Sequence, residues 1–164
     1  MKHDFAPYYT QFRNVEKDLK QQDSTRAWEI RISYFPDERN PEGIGIQFSK
    51  SGWFNEDGKG IHFETWVTEK EIESKKLKFV LHVLHQDFFP GTQKKAWDFL
   101  WPFLEDEAVI EYVSKWKGFK MGRSTPIKGE RKFNESVGTI VVEEFSRFAP
   151  IGDRIDLVLK KILP

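Results

Sequence analysis

Three consecutive stretches of this chain alternate apolar and polar residues with a period of two, and no other feature constrains its fold as tightly. In residues 27–35, Trp28, Ile30, Ile32 and Tyr34 fall on one side and Glu29, Arg31 and Ser33 on the other. Residues 43–50 repeat the pattern, with Ile44, Ile46 and Phe48 against Gly45, Gln47 and Ser49. Residues 60–68 set Ile61, Phe63, Thr65 and Val67 against His62, Glu64 and Trp66. Successive strand side chains point to opposite faces of a sheet, so strict alternation marks a half-buried strand. The connections are a polar loop with two prolines and the hairpin-like SGWFNEDGKG, rich in Gly, Asn and Asp. Three matched strands in a row with short links predict an antiparallel meander.

Around the meander the period changes to that of a helix. Tyr8, Phe12, Val15 and Leu19 recur every three or four residues behind Pro7, which predicts a helix over 8–22. Thr68 and Glu71 have the spacing of a capping box and predict a short helix over 68–76. The stretch LKFVLHVLH, residues 77–85, is apolar on both sides, as a central strand would be. Thr92 is the expected N-cap of a long helical region with Ala96, Phe99, Leu100, Phe103 and Leu104 on one stripe and Trp97 and Trp101 on its flank. Pro102 should kink or split it. Helix resumes with Val109, Ile110, Val113 and Trp116 and stops at Gly118. Residues 119–132 read as extended and turn-like. Residues 139–148 begin with β-branched residues and fit a strand or a helix, and 150–163 fit a C-terminal helix. The expectation is a single α+β domain over residues 1–164. It has an antiparallel sheet of about four to six strands, an N-terminal helix, a long kinked central helical region and a C-terminal helix, packed mainly on one face.

A chain of 164 residues can bury roughly 68–70% of its unfolded surface and needs no metal or disulfide to fold. It contains no Cys, which rules out thiolate chemistry. Its 26 basic and 26 acidic residues balance, so binding to nucleic acid through bulk charge is disfavoured. No apolar run approaches the ~20 residues of a membrane span, and MKHDFAPYYTQF lacks the apolar core of a signal peptide. The expectation is a soluble cytoplasmic protein with no membrane partner. Its 15 Phe, 6 Trp and 4 Tyr can serve a core or line a ligand cavity.

If the three strands pair, their polar faces coincide. Arg31, Gln47, His62, Glu64 and Trp66 then form the candidate ligand-binding set. Arg31 offers two-pronged hydrogen bonds to a carboxylate or phosphate, Trp66 a ring to stack on, and His62 a group that takes up and releases protons. Were the protein an enzyme, His62 would be its acid or base and Glu64 would orient or assist. A half-solvated sheet also carries such residues with no ligand at all, as a polar face or a homodimer surface.

No other motif carries a specific chemistry. HExxH is absent. Gly43-Ile44-Gly45 lacks the third glycine of a dinucleotide fingerprint, Gly58-Lys59-Gly60 lacks P-loop spacing, and Ser146 sits in no GxSxG. Asn55, Glu56 and Asp57 read as a turn. Glu73-Ser74-Lys75 falls on the short helix. His82 and His85 have HxxH spacing, but three apart on a strand they face opposite ways. No metal or other cofactor is expected, and a metal site, if formed, would draw on His62, His82 or His85 with Glu64 or Asp87. One charge asymmetry stands out. Lys115, Lys117, Lys120, Arg123, Lys128, Arg131 and Lys132 are set against Glu130 alone, with Trp116, Phe119 and Met121 interleaved. That segment is a candidate surface for an anionic partner, or a solvated loop.

These features point first to a small binding or accessory domain that takes a small polar or anionic ligand on its sheet face. An enzyme acting on an anionic small molecule comes second, and a nucleic-acid accessory domain using residues 115–132 third.

Overall fold

The computed structural model describes residues 3–83, 87–134 and 136–163. In chain order its elements are α1 (Ala6–Gln21), β1 (Glu29–Phe35), β2 (Gly43–Ser49), β3 (Ile61–Thr68), α2 (Glu69–Ser74), β4 (Lys76–Val83), α3 (Ala96–Leu104), α4 (Glu107–Ser114), β5 (Phe119–Met121), β6 (Ile127–Lys132) and α5 (Gly138–Ile162). The six strands form one antiparallel sheet in the order β1-β2-β3-β4-β6-β5.

The alternating patterns set the register. One cross-strand row runs Ile30, Phe48, Phe63, Leu81, Ile127, Met121, apolar at every strand. A row on the opposite face runs Arg31, Gln47, Glu64, Val80, Lys128, Lys120. A one-residue slip in any strand would turn its apolar set out to water, so the burial of one face fixes the alignment of the other.

The apolar face is covered by helices. Phe145 and Phe148 of α5 stack on Phe48 and Phe63, with ring centroids 4.9 and 4.2 Å apart. Trp28 stacks on Phe48 at 4.0 Å and meets Trp53 edge-on. α1 adds the buried stripe Phe12, Val15 and Leu19, and Thr25 Oγ1 donates to the Leu19 carbonyl at 2.6 Å beyond its last turn. Thr68 and Glu71 form the expected capping box on α2. β4 lies in the middle of the sheet, as its two-sided apolar character predicts.

Two local expectations are revised. Thr92 is not a helix cap. Its Oγ1 donates to the Phe89 carbonyl and accepts from Lys94 N, closing a turn tied by a 2.7 Å bond from Phe89 N to the Lys94 carbonyl. α3 therefore starts later, with Lys95 N held by Asp98. Pro102 sits inside α3, and the chain breaks at Asp106, whose carboxylate accepts from Ala108 N and Val109 N and caps α4.

Residues 139–148, open between strand and helix on sequence grounds, are the start of α5, which continues through Pro150 as one 25-residue helix. Val141, Phe145, Phe148, Gly152, Ile155 and Leu159 are buried along it at spacings of three and four. That stripe outweighs the β-branched start and the one hydrogen bond that Pro150 cannot make.

Candidate functional site

The polar row gathers most of the predicted ligand-binding residues on one face. Gln47 pairs with Arg31 on one side and Glu64 on the other, and His62, two residues from Glu64 on β3, pairs with His82 of β4. Trp66 continues the same face of β3, its ring nearly parallel to His82 at 6.3 Å.

The connection between β2 and β3 folds back onto this face, and Asn55 ties it down. Its amide nitrogen donates to Gln47 Oε1 and Ser49 Oγ. Its Oδ1 accepts from Gly60 N at 3.1 Å and lies 2.9 Å from His62 Nδ1. Gly60 is required there, because a Cβ at that position would stand 2.1 Å from the Phe54 carbonyl oxygen. Arg31 Nη1 donates to the Glu56 carbonyl, and Gln47 Nε2 to the Gly58 carbonyl. Much of the hydrogen-bonding capacity predicted for a ligand thus holds the connection in place.

At the centre stands Glu64. Gln47 Nε2 donates to its Oε1 at 3.4 Å. Its Oε2 lies 3.0 Å from His82 Nδ1 and 3.5 Å from His62 Nε2. Burial on its own would raise the Glu64 carboxyl, but the two imidazoles beside it outweigh that and hold it at about 2. His62 is 0% exposed, whereas the side chains of Glu64 and His82 keep 19% and 28% of their surface in solvent. Neither His62 Nε2 nor His82 Nδ1 has a hydrogen-bond partner of acceptable geometry, and both are buried atoms. Donor atoms of His62, Glu64 and His82 lie within 4.8 Å of one another, a set able to hold a cation. Asp87 is not part of that cluster, and His85 lies outside the described residues.

The basic segment is divided by the fold. Lys120 and Lys128 face each other across β5 and β6, and Lys132 continues that outer face opposite Lys76. Arg131 turns inward to the helices and pairs with Glu143 and the buried Glu144. Lys115 pairs with Glu111, and Arg123 lies over Trp101. Lys117 lines a separate hollow with Tyr112, Trp116 and Arg147. The seven cations therefore do not form one surface.

Part of the segment contributes to a groove of about 470 Å³ on the outer face, lined by Lys78, Val80, Phe119, Lys120, Lys128 and Glu130. Through Val80 it adjoins Glu64. Sequence reasoning left Lys78 out, although Lys76, Lys78, Val80 and His82 alternate with Leu77, Phe79, Leu81 and Val83. It also gave Asn55 a turn role only. Nothing in local spacing shows that its side chain reaches back to a buried histidine.

Compared with known protein families, curated proteins and solved structures, the chain matches none. No helix of the described residues is long and apolar enough to cross a membrane.

Proposed function

We propose that this chain is a non-catalytic binding module that takes a small anionic molecule, phosphate-bearing or carboxylate, in the outer groove between Lys78, Lys120 and Lys128. One observation carries the reading: three lysines and a single carboxylate, Glu130, line a groove of about 470 Å³; Glu130 is paired with Lys76, and none of the three lysines has an ion-pair partner among the described residues. Lys120 and Lys128 stand directly opposite each other, an arrangement that repels and that an anion between them relieves. Lysines suit this role as mobile point charges that adapt to the ligand.

The enzyme reading has less support. A general base must reach the proton it removes, whereas His62 is fully buried with Nδ1 engaged by Asn55. The nucleic-acid reading loses the continuous basic face it requires. A cytoplasmic location is part of the proposal.

Calorimetric titration of inorganic phosphate, pyrophosphate and citrate at low ionic strength tests it. The expected result is saturable binding that weakens with salt and falls at least tenfold in Lys120→Ala and Lys128→Ala. The reading is overturned by absence of binding for all three anions, or by equal binding in the lysine variants. It is also overturned by a protein that is a dimer in solution with the groove residues buried between subunits.

A further inference from the structure

We infer that His62, Glu64 and His82 form a binding site for one divalent transition-metal ion of the zinc class. This goes beyond the anion-binding proposal and stands on different residues.

The spacing of the donors is the first ground. Metal–ligand bonds to imidazole nitrogen and carboxylate oxygen measure about 2.0–2.2 Å. Donors around such an ion at tetrahedral or octahedral angles therefore stand roughly 3–3.5 Å apart. Glu64 Oε2 is 3.0 Å from His82 Nδ1 and 3.5 Å from His62 Nε2. The two edges that meet at the carboxylate thus already have the lengths of a coordination polyhedron, and all three donors lie within 4.8 Å of one another.

The protonation pattern is the second ground, and it is independent of the first. Gly60 N–H donates to Asn55 Oδ1, which fixes that atom as the amide oxygen and hence as an acceptor. His62 Nδ1, 2.9 Å from the same oxygen, must then be the N–H donor. In the neutral ring this leaves Nε2 as a bare lone pair. That lone pair is buried, lacks a hydrogen bond and faces a carboxylate oxygen. A buried acceptor turned toward a second acceptor is unfavourable unless a cation lies between them, a proton taken up by the ring or a metal ion that displaces it. His82 Nδ1 is likewise buried and without a hydrogen bond, on the other side of the same oxygen.

The surroundings match what a metal centre requires. Ligating histidines commonly donate their second ring N–H to an oxygen that fixes tautomer and orientation, and Asn55 does this for His62. Gln47 does the corresponding work for the carboxylate, holding Oε1 and leaving Oε2 toward the imidazoles. Both histidines come from directly opposed positions of neighbouring strands, which makes the site rigid. Two imidazoles and one carboxylate suit zinc and its neighbours and leave coordination positions open. The part-exposed side chains of Glu64 and His82 give the ion a route in from the outer face.

The experiment titrates the chelator-stripped, desalted 164-residue chain with ZnCl2 by calorimetry and with CoCl2 by visible absorption. One equivalent should bind, the cobalt spectrum should show nitrogen and oxygen coordination, and zinc should raise the melting temperature. Glu64→Gln and His82→Gln should each weaken zinc binding by ~100-fold or more, and Asn55→Ala by ~10–100-fold. His3→Gln should leave it unchanged. Zinc added to unsubstituted protein should also move the imidazole NMR signals of His62 and His82, a readout that does not depend on any variant folding. The inference is overturned if zinc does not bind, if Glu64→Gln and His82→Gln bind it as well as the parent, or if the two imidazoles do not respond.

Discussion

His62 and His82 face each other across β3 and β4 with ring centroids 5.3 Å apart and planes at 88°. A direct cross-strand pair brings Cβ atoms within ~5 Å, so the backbone alone sets this proximity. Their edge-on arrangement, with Glu64 diagonal to His82, aims a nitrogen of each ring at one carboxylate oxygen. The pair is held from outside the sheet by the connection between β2 and β3, through Asn55.

Asn55→Ala should destabilise the fold by about 2–4 kcal/mol. The truncation leaves Gly60 N–H and His62 Nδ1 without their acceptor in a buried setting, and each unsatisfied buried group costs about 1–3 kcal/mol. Urea unfolding at neutral pH measures the loss. A change under 0.5 kcal/mol would show that the connection does not depend on this side chain.

Stability should fall on acidification through the range that Glu64 controls. In the metal-free protein its carboxyl is lowered from 4.5 to about 2 by the two imidazoles when these carry protons, against the opposing effect of burial. A depressed folded-state value contributes stability that is fully present above the unfolded value and is lost as pH falls through the folded one. The window therefore runs from about pH 4.5 down to about pH 2, and the contribution is on the order of 2–3 kcal/mol. Urea midpoints of the metal-free parent and Glu64→Gln should differ most just above that window and converge across it. A constant difference at all pH values would contradict the assignment.

The sheet was legible because burial of one face leaves a period-two record in sequence. The same record located Arg31, Gln47, His62 and Glu64 on a common side, and the capping box at Thr68 is a purely local signal. What escaped depends on contacts remote in sequence. His82, named with His62 and Glu64 only as a conditional metal ligand, sits in a stretch whose apolar content masked its alternation, so its position opposite His62 appeared only with the β3–β4 register. Thr139–Val142 have strand-like propensity, which the buried stripe of α5, with Phe145 and Phe148 stacked on Phe48 and Phe63, outweighs. Arg131 and Lys132 are adjacent in sequence yet lie on opposite faces of β6, which a charge count cannot register.

Glu144 offers a test of the opposite face. It is fully buried, receives Trp116 Nε1 at 2.7 Å and Arg147 Nη1 at 3.2 Å, and pairs with Arg131. Removing one member of a buried ion pair strands its partners. Glu144→Ala should cost about 3 kcal/mol, read from urea unfolding, and Glu144→Gln less, because an amide oxygen still accepts from the Trp116 indole. Equal losses in the two variants would mean that charge, and not hydrogen bonding, dominates there.

The lysine groove should show opposite effects on stability and binding. Lys120 and Lys128 are directly opposed, and like charges in that position destabilise a strand pair by roughly 0.2–1 kcal/mol, where opposite charges stabilise it. Lys120→Glu converts the first case into the second, so the variant should be more stable than the parent at low salt. The gain should shrink at high salt, since both groups are exposed and screened. The same substitution places a negative charge in the groove proposed to hold an anion, so phosphate and pyrophosphate binding should be lost. Urea unfolding at two salt concentrations, alongside titration with pyrophosphate, reads both effects. A variant that gains stability and still binds pyrophosphate would place the anion elsewhere, and one that loses stability would show that the lysines do not repel.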